Sequence, residues 1–126
     1  MRDKVHWSEA KSRCANHGAI LAAIKDAGEN NFIKGLIKNA PEGKYPLVWL
    51  GLFKPTGQWM WTDRSRVGYS NWAPGEPNHR LIIKEDCGSM YFKTGKNWFG
   101  GRTRYQGQWN NAKCGHHYPY VCEKPM

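Results

Sequence analysis

Four cysteines in a chain of 126 residues constrain the fold more than any other feature of this sequence. They are Cys14, Cys87, Cys114 and Cys122, and none of them is spaced C-x-x-C, so the pattern does not favour a zinc ribbon or a thioredoxin-like site. An even number of cysteines in a small chain predicts two disulfides and an oxidising compartment, which favours a secreted or extracellular protein. The spacing alone leaves the pairing open.

The composition predicts one folded domain over residues 1–126. A domain of this length buries roughly two-thirds of its unfolded surface, which is enough for a hydrophobic core. Seven Trp, six Tyr and four Phe are too many large apolar side chains for a disordered chain. No apolar run approaches the ~20 residues of a membrane helix, so we expect no membrane insertion. The net charge of +9 favours anionic partners but does not specify a fold.

The hydrophobic pattern predicts two helices followed by short strands, an α+β arrangement. Ser8 is a candidate N-cap for a first helix over about residues 9–17, which Gly18 would end. A second helix is predicted from about Gly28 to Asn39, because apolar residues recur there at helical spacing: Phe32, Ile33, Leu36 and Ile37. Later apolar runs predict strands at Val48–Phe53, Gln58–Thr62, Gly88–Phe92, Gln108–Asn110 and Tyr118–Glu123.

Ordered motifs along nearly the whole chain resemble those of one family. In chain order they are Trp7-Ser8-Glu9-Ala10, Gly18-Ala19-x-Leu21, Val48-Trp49-Leu50-Gly51-Leu52, Gly75-Glu76-Pro77-Asn78, Glu85-Asp86-Cys87, Trp109-Asn110-Asn111 and Tyr120-Val121-Cys122-Glu123. No single motif is specific, but the ordered set resembles a C-type lectin-like domain. The resemblance implies that family's fold, with two helices flanking small antiparallel sheets, a long loop region, and disulfides Cys14–Cys122 and Cys87–Cys114.

The resemblance also implies a calcium site that binds sugar. The implied metal ligands are Glu76, Asn78, Glu85, Asn110 and Asn111, and the first four would also contact the sugar. Carboxylate and amide oxygens suit a hard cation such as Ca2+. Each group can bind the metal through one oxygen and hydrogen-bond one of two vicinal sugar hydroxyls. In the family, the Glu-Pro-Asn order goes with mannose-type sugars (mannose, GlcNAc, fucose), so the resemblance predicts calcium-dependent binding of such glycans, with oligomers adding avidity.

Two features depart from the family pattern. The family has Asp where this chain has Asn111, so the formal charge of the ligand set falls from −3 to −2. A lower charge beside a divalent ion predicts weaker calcium binding, by about tenfold or more. Six residues precede Trp7, where the family usually has a strand that pairs with the C-terminal strand. We therefore expect either a truncated N-terminus or an exposed sheet edge.

The sequence suggests three other functional interpretations, which differ in how well the residues support them. A basic cluster interleaved with aromatic residues is either a solvated loop or a secondary contact for anionic glycan: Lys93, Lys96, Arg102 and Arg104. Through this surface a calcium-independent lectin-like domain would bind a protein or a sulfated glycan. Nucleic acid would use the same charges, but an extracellular disulfide-bonded domain argues against it. A lysozyme-like glycosidase would need a carboxylate pair, for which Glu76, Glu85 and Asp86 are the candidates. The Asn beside the candidate Glu residues suits a metal and a hydroxyl better than proton transfer, so we predict no enzyme.

Overall fold

A computed structural model describes residues 4–38, 40, 46–55, 57–73, 87–96 and 103–123 of the chain. Two helices, with one two-residue strand between them, come before the remaining short strands, which confirms the predicted α+β class. The elements are α1 (Trp7–Asn16), β1 (Ile20–Leu21), α2 (Ala27–Ile37), β2 (Leu47–Phe53), β3 (Met60–Trp61), β4 (Cys87–Tyr91), β5 (Gly95–Lys96), β6 (Thr103–Arg104), β7 (Trp109–Ala112) and β8 (Cys122–Glu123). No helix in these ranges is both long enough and apolar enough to cross a membrane.

The first helix begins two residues before the predicted start, so the assignment of Ser8 as its N-cap is wrong. His6 occupies the N-cap, and its Nδ1 accepts a hydrogen bond from the backbone N–H of Glu9 at 3.2 Å. Ser8 lies in the first helical turn, where its hydroxyl contacts the same imidazole nitrogen at 3.1 Å. Gly18 follows the helix with φ +68°, the left-handed conformation in which glycine ends a helix, as predicted.

The second helix is capped by Asp26, whose carboxylate accepts a hydrogen bond from the backbone N–H of Glu29 at 2.8 Å. The four apolar residues that predicted this helix divide between two faces. Ile33 and Ile37 are buried against the core, whereas Phe32 and Leu36 are 70% and 61% exposed. Helical spacing therefore located α2 correctly, but only one pair of these side chains contributes to the core.

A four-stranded antiparallel sheet in the order β3-β2-β4-β7 forms the centre of the fold. Its longest strand, β2, is buried along almost its whole length. A Cβ atom at Gly51 would collide with the backbone carbonyl of Leu21, so glycine lets β1 approach β2 closely. Two-stranded pairs β1–β8 and β5–β6 complete the described sheets. The sequence did not predict β5 and β6, because no strand was predicted between Phe92 and Gln108.

Both disulfides implied by the family resemblance are present. Cys14–Cys122 joins α1 to β8 across a sequence separation of 108 residues. Cys87–Cys114 joins the first residue of β4 to the segment after β7. Loops of these lengths correspond to roughly 3–5 kcal/mol of stabilisation each in a chain-entropy treatment. The cysteines are therefore structural, and none of the four is free.

Among the described residues before α1, Val5 pairs with the C-terminal part of the chain. Val5 and Tyr118 form an antiparallel bridge, in which each backbone N–H donates to the other residue's carbonyl oxygen at 3.0 Å. The indole Nε1 of Trp49 also donates to the Val5 carbonyl oxygen at 2.8 Å. An exposed sheet edge was one of the two expectations for this region. Val5 instead covers the backbone of Tyr118.

Candidate functional site

Only part of the candidate calcium site falls within the described residues. Asn110 and Asn111 lie on β7, next to β4 in the sheet. The predicted ligands Glu76, Asn78 and Glu85 lie outside the described residues. The ligand set as a whole therefore stays a prediction, and the geometry below concerns the β7 part of it.

The two asparagines of β7 differ in exposure. Asn111 is 2% exposed, whereas Asn110 is half-buried. The β4–β7 register places Asn110 opposite Ser89 and Asn111 opposite Gly88, and the Ser89 hydroxyl donates to the Asn110 carbonyl oxygen at 3.1 Å. Asn110 is therefore the more solvent-accessible residue of the pair.

The side chains of Asn110 and Asn111 have the chemistry expected of two ligands in an oxygen-donor metal site. Each side chain offers a neutral amide oxygen, which Ca2+ accepts as a ligand. The charge needed to hold the ion would have to come from Glu76 and Glu85. No group of three or more His, Cys, Asp or Glu among the described residues could hold a metal ion. The described carboxylates therefore offer no competing cluster of that size.

The strand that carries both asparagines is held at its first residue, Trp109, which is fully buried. The Trp109 indole Nε1 donates to Oδ1 of Asn30 on α2 at 2.8 Å. Its backbone N–H donates to the Asn71 carbonyl oxygen at 2.8 Å, and its own carbonyl oxygen accepts from the Ala73 N–H at 2.8 Å. Helix α2 and the segment 71–73 thus both fix the residue that precedes Asn110.

Sequence reasoning missed Asn30 and Asn71. Asn30 carried a readable signal, because it lies three and seven residues before Ile33 and Ile37 on the apolar stripe of α2. An amide on such a stripe must find buried hydrogen-bond partners. The sequence could not identify those partners, since Trp109 and Gly107 lie 79 and 77 residues away in the chain.

An aromatic cluster surrounds Trp109, as expected for packing tryptophans. The rings of Trp61, Tyr69 and Trp72 lie 5.3, 5.9 and 5.7 Å from the Trp109 ring, all edge-on to it. Trp59 in turn packs 5.2 Å from Trp72. Edge-to-face contacts of this kind add to the hydrophobic stabilisation of the core. The tryptophans near β7 therefore hold the strand in place.

A charged cluster links the start of α2 to β8, in a different part of the molecule. The Asp63 carboxylate accepts hydrogen bonds from the Lys25 ammonium and from the Ser65 backbone N–H, each at 2.9 Å. Partial burial raises the pKa of Asp63, but the hydrogen bonds from Ser65 and Lys25 outweigh it and lower the pKa to about 2. Burial raises the pKa of Glu123, against a hydrogen bond from the Ala23 N–H.

The predicted basic contact is only partly described. Lys93 is exposed and follows β4, whereas Lys96 and Arg104 lie on β5 and β6 and Arg102 lies outside the described residues. The ribbon is anchored beside them, because Thr94 Oγ1 accepts a hydrogen bond from the Gln106 N–H at 3.0 Å. Tyr105 follows β6 and is 56% exposed. The region therefore contains a paired β-ribbon, whereas no strand was predicted there from the sequence.

Comparisons with known proteins agree with this architecture. The family model described as Lectin C-type domain matches residues 3–124. The human C-type mannose receptor 2 is 32% identical over 120 residues, which cover 94% of this chain and 7% of that protein. The chain thus spans about 7% of the length of the mannose receptors that it matches.

Two solved structures give the same fold. The C-type carbohydrate-recognition domain of cow CD23, solved in the presence of a GlcNAc2Man3 oligosaccharide, superposes with a TM-score of 0.73 at 28% identity and covers 98% of this chain and 83% of that one. A calcium-independent type II antifreeze protein superposes with a TM-score of 0.72 at 26% identity and covers 96% of this chain and 79% of that one. The same fold therefore occurs in a carbohydrate-recognition domain and in a calcium-independent antifreeze protein.

Proposed function

The chain belongs to the C-type lectin domain family of non-enzymatic carbohydrate-binding modules, and we propose that residues 1–126 form one carbohydrate-recognition domain that binds mannose-type sugars through calcium. Its two disulfides favour an extracellular location. Family membership gives no support to a glycosidase that uses Glu76, Glu85 and Asp86.

The observation that carries this proposal is the placement of Asn110 and Asn111 on the strand beside β4. Cys87, the first residue of β4, pairs with Ala112, and Glu85 precedes Cys87 by two residues in the sequence. In the sequence, Glu85 therefore comes just before the end of β4 that pairs with the end of β7. Glu76 and Asn78 belong to the same proposed set through the Glu-Pro-Asn motif.

In the proposed site all five residues would bind the metal, and all of them except Asn111 would also contact the sugar. Bound calcium would supply coordination for two vicinal hydroxyls of the sugar. The carboxylates of Glu76 and Glu85 accept hydrogen bonds from those hydroxyls, whereas the amide groups of Asn78 and Asn110 donate to them. The order of acceptor and donor at positions 76 and 78 favours the hydroxyl geometry of mannose, GlcNAc and fucose.

The comparisons support carbohydrate as the ligand class. One relative is named a mannose receptor, and the CD23 domain was solved in the presence of an oligosaccharide of GlcNAc and mannose. A single shallow sugar site binds weakly, so we propose that several copies act together on glycans of glycoproteins or cell surfaces. Lys93, Lys96, Arg102 and Arg104 would add a secondary contact for anionic parts of such glycans.

Retention on mannose–agarose with and without EDTA tests this function. We expect the protein to bind in millimolar calcium, to elute with EDTA, and to pass through galactose–agarose. Calorimetric titration of the metal-free protein with calcium gives the affinity of the ion directly. Equal retention in calcium and in EDTA would contradict the calcium mechanism.

A second candidate function is calcium-independent binding of an anionic partner. Asn111 favours it, because this buried side chain brings no charge to the metal. The likeness to a calcium-independent antifreeze protein also favours it, as does the net charge of +9. Retention on a sulfated-glycan resin such as heparin–agarose in EDTA, lost above physiological salt, would select this function over the first.

A further inference from the structure

We propose that Asn30 on α2 is a positioning residue for the sugar site, because its buried carboxamide fixes the start of the strand that presents Asn110 and Asn111. The inference rests on the proposed function for its consequence in binding. Its structural part, the control of β7 by a side chain of α2, can be measured separately.

The Asn30 side chain makes two hydrogen bonds, one to the turn before β7 and one to the first residue of β7. It is 3% exposed, its Oδ1 accepts from the Trp109 indole at 2.8 Å, and its Nδ2 donates to the Gly107 carbonyl oxygen at 3.2 Å. The Asn71 side chain donates to the same carbonyl oxygen at 2.8 Å. Gly107 therefore keeps one hydrogen bond if Asn30 is removed, whereas the Trp109 indole loses its acceptor.

The Gly107 turn is also packed tightly against α2. Gly107 has φ +92°, and a Cβ atom there would lie 2.9 Å from Cδ of Lys34, one turn after Asn30. The helix and the turn are therefore in direct contact at two successive turns of α2. Because Trp109 follows Gly107 by two residues and precedes Asn110 by one, movement of this contact would carry through to the metal-facing part of β7.

The hydrogen bond to Trp109 is not a general requirement of this core. The indole nitrogens of Trp59 and Trp61 are buried and have no hydrogen-bond partner in the described part of the chain. Those of Trp7 and Trp49 donate to backbone carbonyl oxygens. Trp109 instead donates to a side chain, so a substitution at position 30 can remove its acceptor. An apolar residue at position 30 would continue the Ile33 and Ile37 stripe, so burial alone does not explain the amide.

A metal site depends on the residues that orient its ligands as well as on the ligands. Substitution of such orienting residues typically lowers metal affinity by about 10–100-fold. Asn30 fits this role with respect to Asn110, since it holds the side chain of the preceding residue. We therefore expect Asn30→Ala to weaken calcium binding by about tenfold or more without removing any ligand.

Ile37→Ala is a matched control. Ile37 lies on the same helix and the same apolar stripe as Asn30, it is 5% exposed, and it is about 10 Å further along the helix axis. This truncation removes more buried apolar surface but none of the hydrogen bonds to Gly107 or Trp109. We expect its calcium affinity to stay within about twofold of wild type, at a temperature where both variants are folded.

Amide hydrogen exchange without calcium separates a local effect on β7 from a general loss of stability, which would speed exchange across the whole core. Exchange at Asn110–Ala112 is compared with exchange at Leu50 on β2 in the same sample. We expect Asn30→Ala to speed exchange at β7 by about tenfold relative to Leu50, and Ile37→Ala to leave the ratio unchanged. If Asn30→Ala does not fold, Asn30→Ser serves instead, because its shorter side chain cannot bridge Trp109 and Gly107.

The outcomes separate the two proposals. Unchanged exchange ratios and unchanged calcium affinity in Asn30→Ala would overturn the inference, as would an equal loss of affinity in Ile37→Ala. If the wild-type protein binds no calcium, the proposed function fails and the exchange ratio alone decides whether Asn30 positions β7. Faster exchange at β7 and weaker calcium binding, each in Asn30→Ala but not in Ile37→Ala, support both proposals.

Discussion

The carboxylate of Glu123 on β8 accepts a hydrogen bond from the backbone N–H of Ala23 at 3.0 Å, although 100 residues separate the two in the chain. The bond lies beside the β1–β8 pair, next to the backbone hydrogen bond from the Ala22 N–H to the Val121 carbonyl oxygen. It also places a half-buried carboxylate in the field of Glu29 and Asp63, with Lys25 as the opposing charge. The hydrogen bond to Ala23 therefore stabilises the fold, whereas burial of the ionised Glu123 carboxylate destabilises it.

We predict that Glu123→Gln raises stability at neutral pH and has little effect at pH 3.5. Burial raises the pKa of Glu123 above its usual 4.5, so the folded state disfavours the ionised form. Its stabilising contribution is therefore present below pH 4.5 and is lost as the pH rises through the folded-state pKa. Gln keeps an oxygen acceptor for Ala23 without the charge. The gain at pH 7 should be below about 1 kcal/mol, because solvent screens a half-exposed group.

Urea unfolding of both proteins at pH 7 and pH 3.5 measures this difference. Asp63→Asn is the control of opposite sign, since the folded-state pKa of Asp63 is about 2 against the ordinary 3.8. Its contribution is present above pH 3.8 and is lost as the pH falls through about 2, so Asp63→Asn should lower stability at pH 7. A lower urea midpoint for Glu123→Gln at pH 7 would refute the charge argument.

We predict that Asn111→Asp reverses its effect on stability between EDTA and calcium. Asn111 is 2% exposed, so an aspartate there would bury a carboxylate that has no cation in EDTA, and the melting temperature should fall. With calcium bound, the added charge should tighten the ion by about tenfold and raise the melting temperature above that of wild type. Thermal melts over a calcium series measure both signs. A calcium titration curve identical to that of wild type would show that charge at position 111 does not limit the site.

We predict that Glu76→Gln combined with Asn78→Asp shifts the preference from mannose toward galactose. The exchange reverses the order of hydrogen-bond acceptor and donor along the loop while it keeps two oxygen ligands for the metal. Retention on mannose–agarose and galactose–agarose in the same calcium buffer compares the two. Lys38→Ala is a suitable control, because it removes an exposed positive charge at the end of α2, outside the proposed binding residues, and should leave the mannose/galactose ratio unaltered. If the double variant binds neither resin but still binds calcium, the order of acceptor and donor at positions 76 and 78 does not set the sugar preference.

We predict that the two disulfides contribute unequally to stability and to binding. Replacing Cys14 and Cys122 with Ala opens a loop of 108 residues, whereas replacing Cys87 and Cys114 opens one of 27. The longer closure should contribute about 1 kcal/mol more to the free energy of unfolding. Calcium affinity of the folded protein should fall in the Cys87/Cys114 variant, because that bridge joins β4 to the end of β7. Denaturant unfolding and calcium calorimetry of both double variants provide the comparison, and the reverse order of calcium affinities would count against the site.

The sequence predicted the parts of this protein that depend on local or strongly patterned signals. Apolar periodicity located both helices, Gly18 marked the end of α1, and an apolar run located β2. Ordered motifs also led to the family and, through it, to the disulfides Cys14–Cys122 and Cys87–Cys114. These features depend on near neighbours in the chain or on motifs whose order the sequence displays directly.

Only the tertiary structure decided which groups meet across long separations. The N-cap role of His6 depends on where α1 begins, and β1 forms as a strand because β8 lies beside it. The burial of Asn111 and the hydrogen bonds from Asn30 to Trp109 and Gly107 depend on how α2 packs against the turn before β7. A residue's own type and spacing describe the bonds it can make. Its partner, and therefore its effect on the site, is set by the packing of elements that lie far apart in the chain.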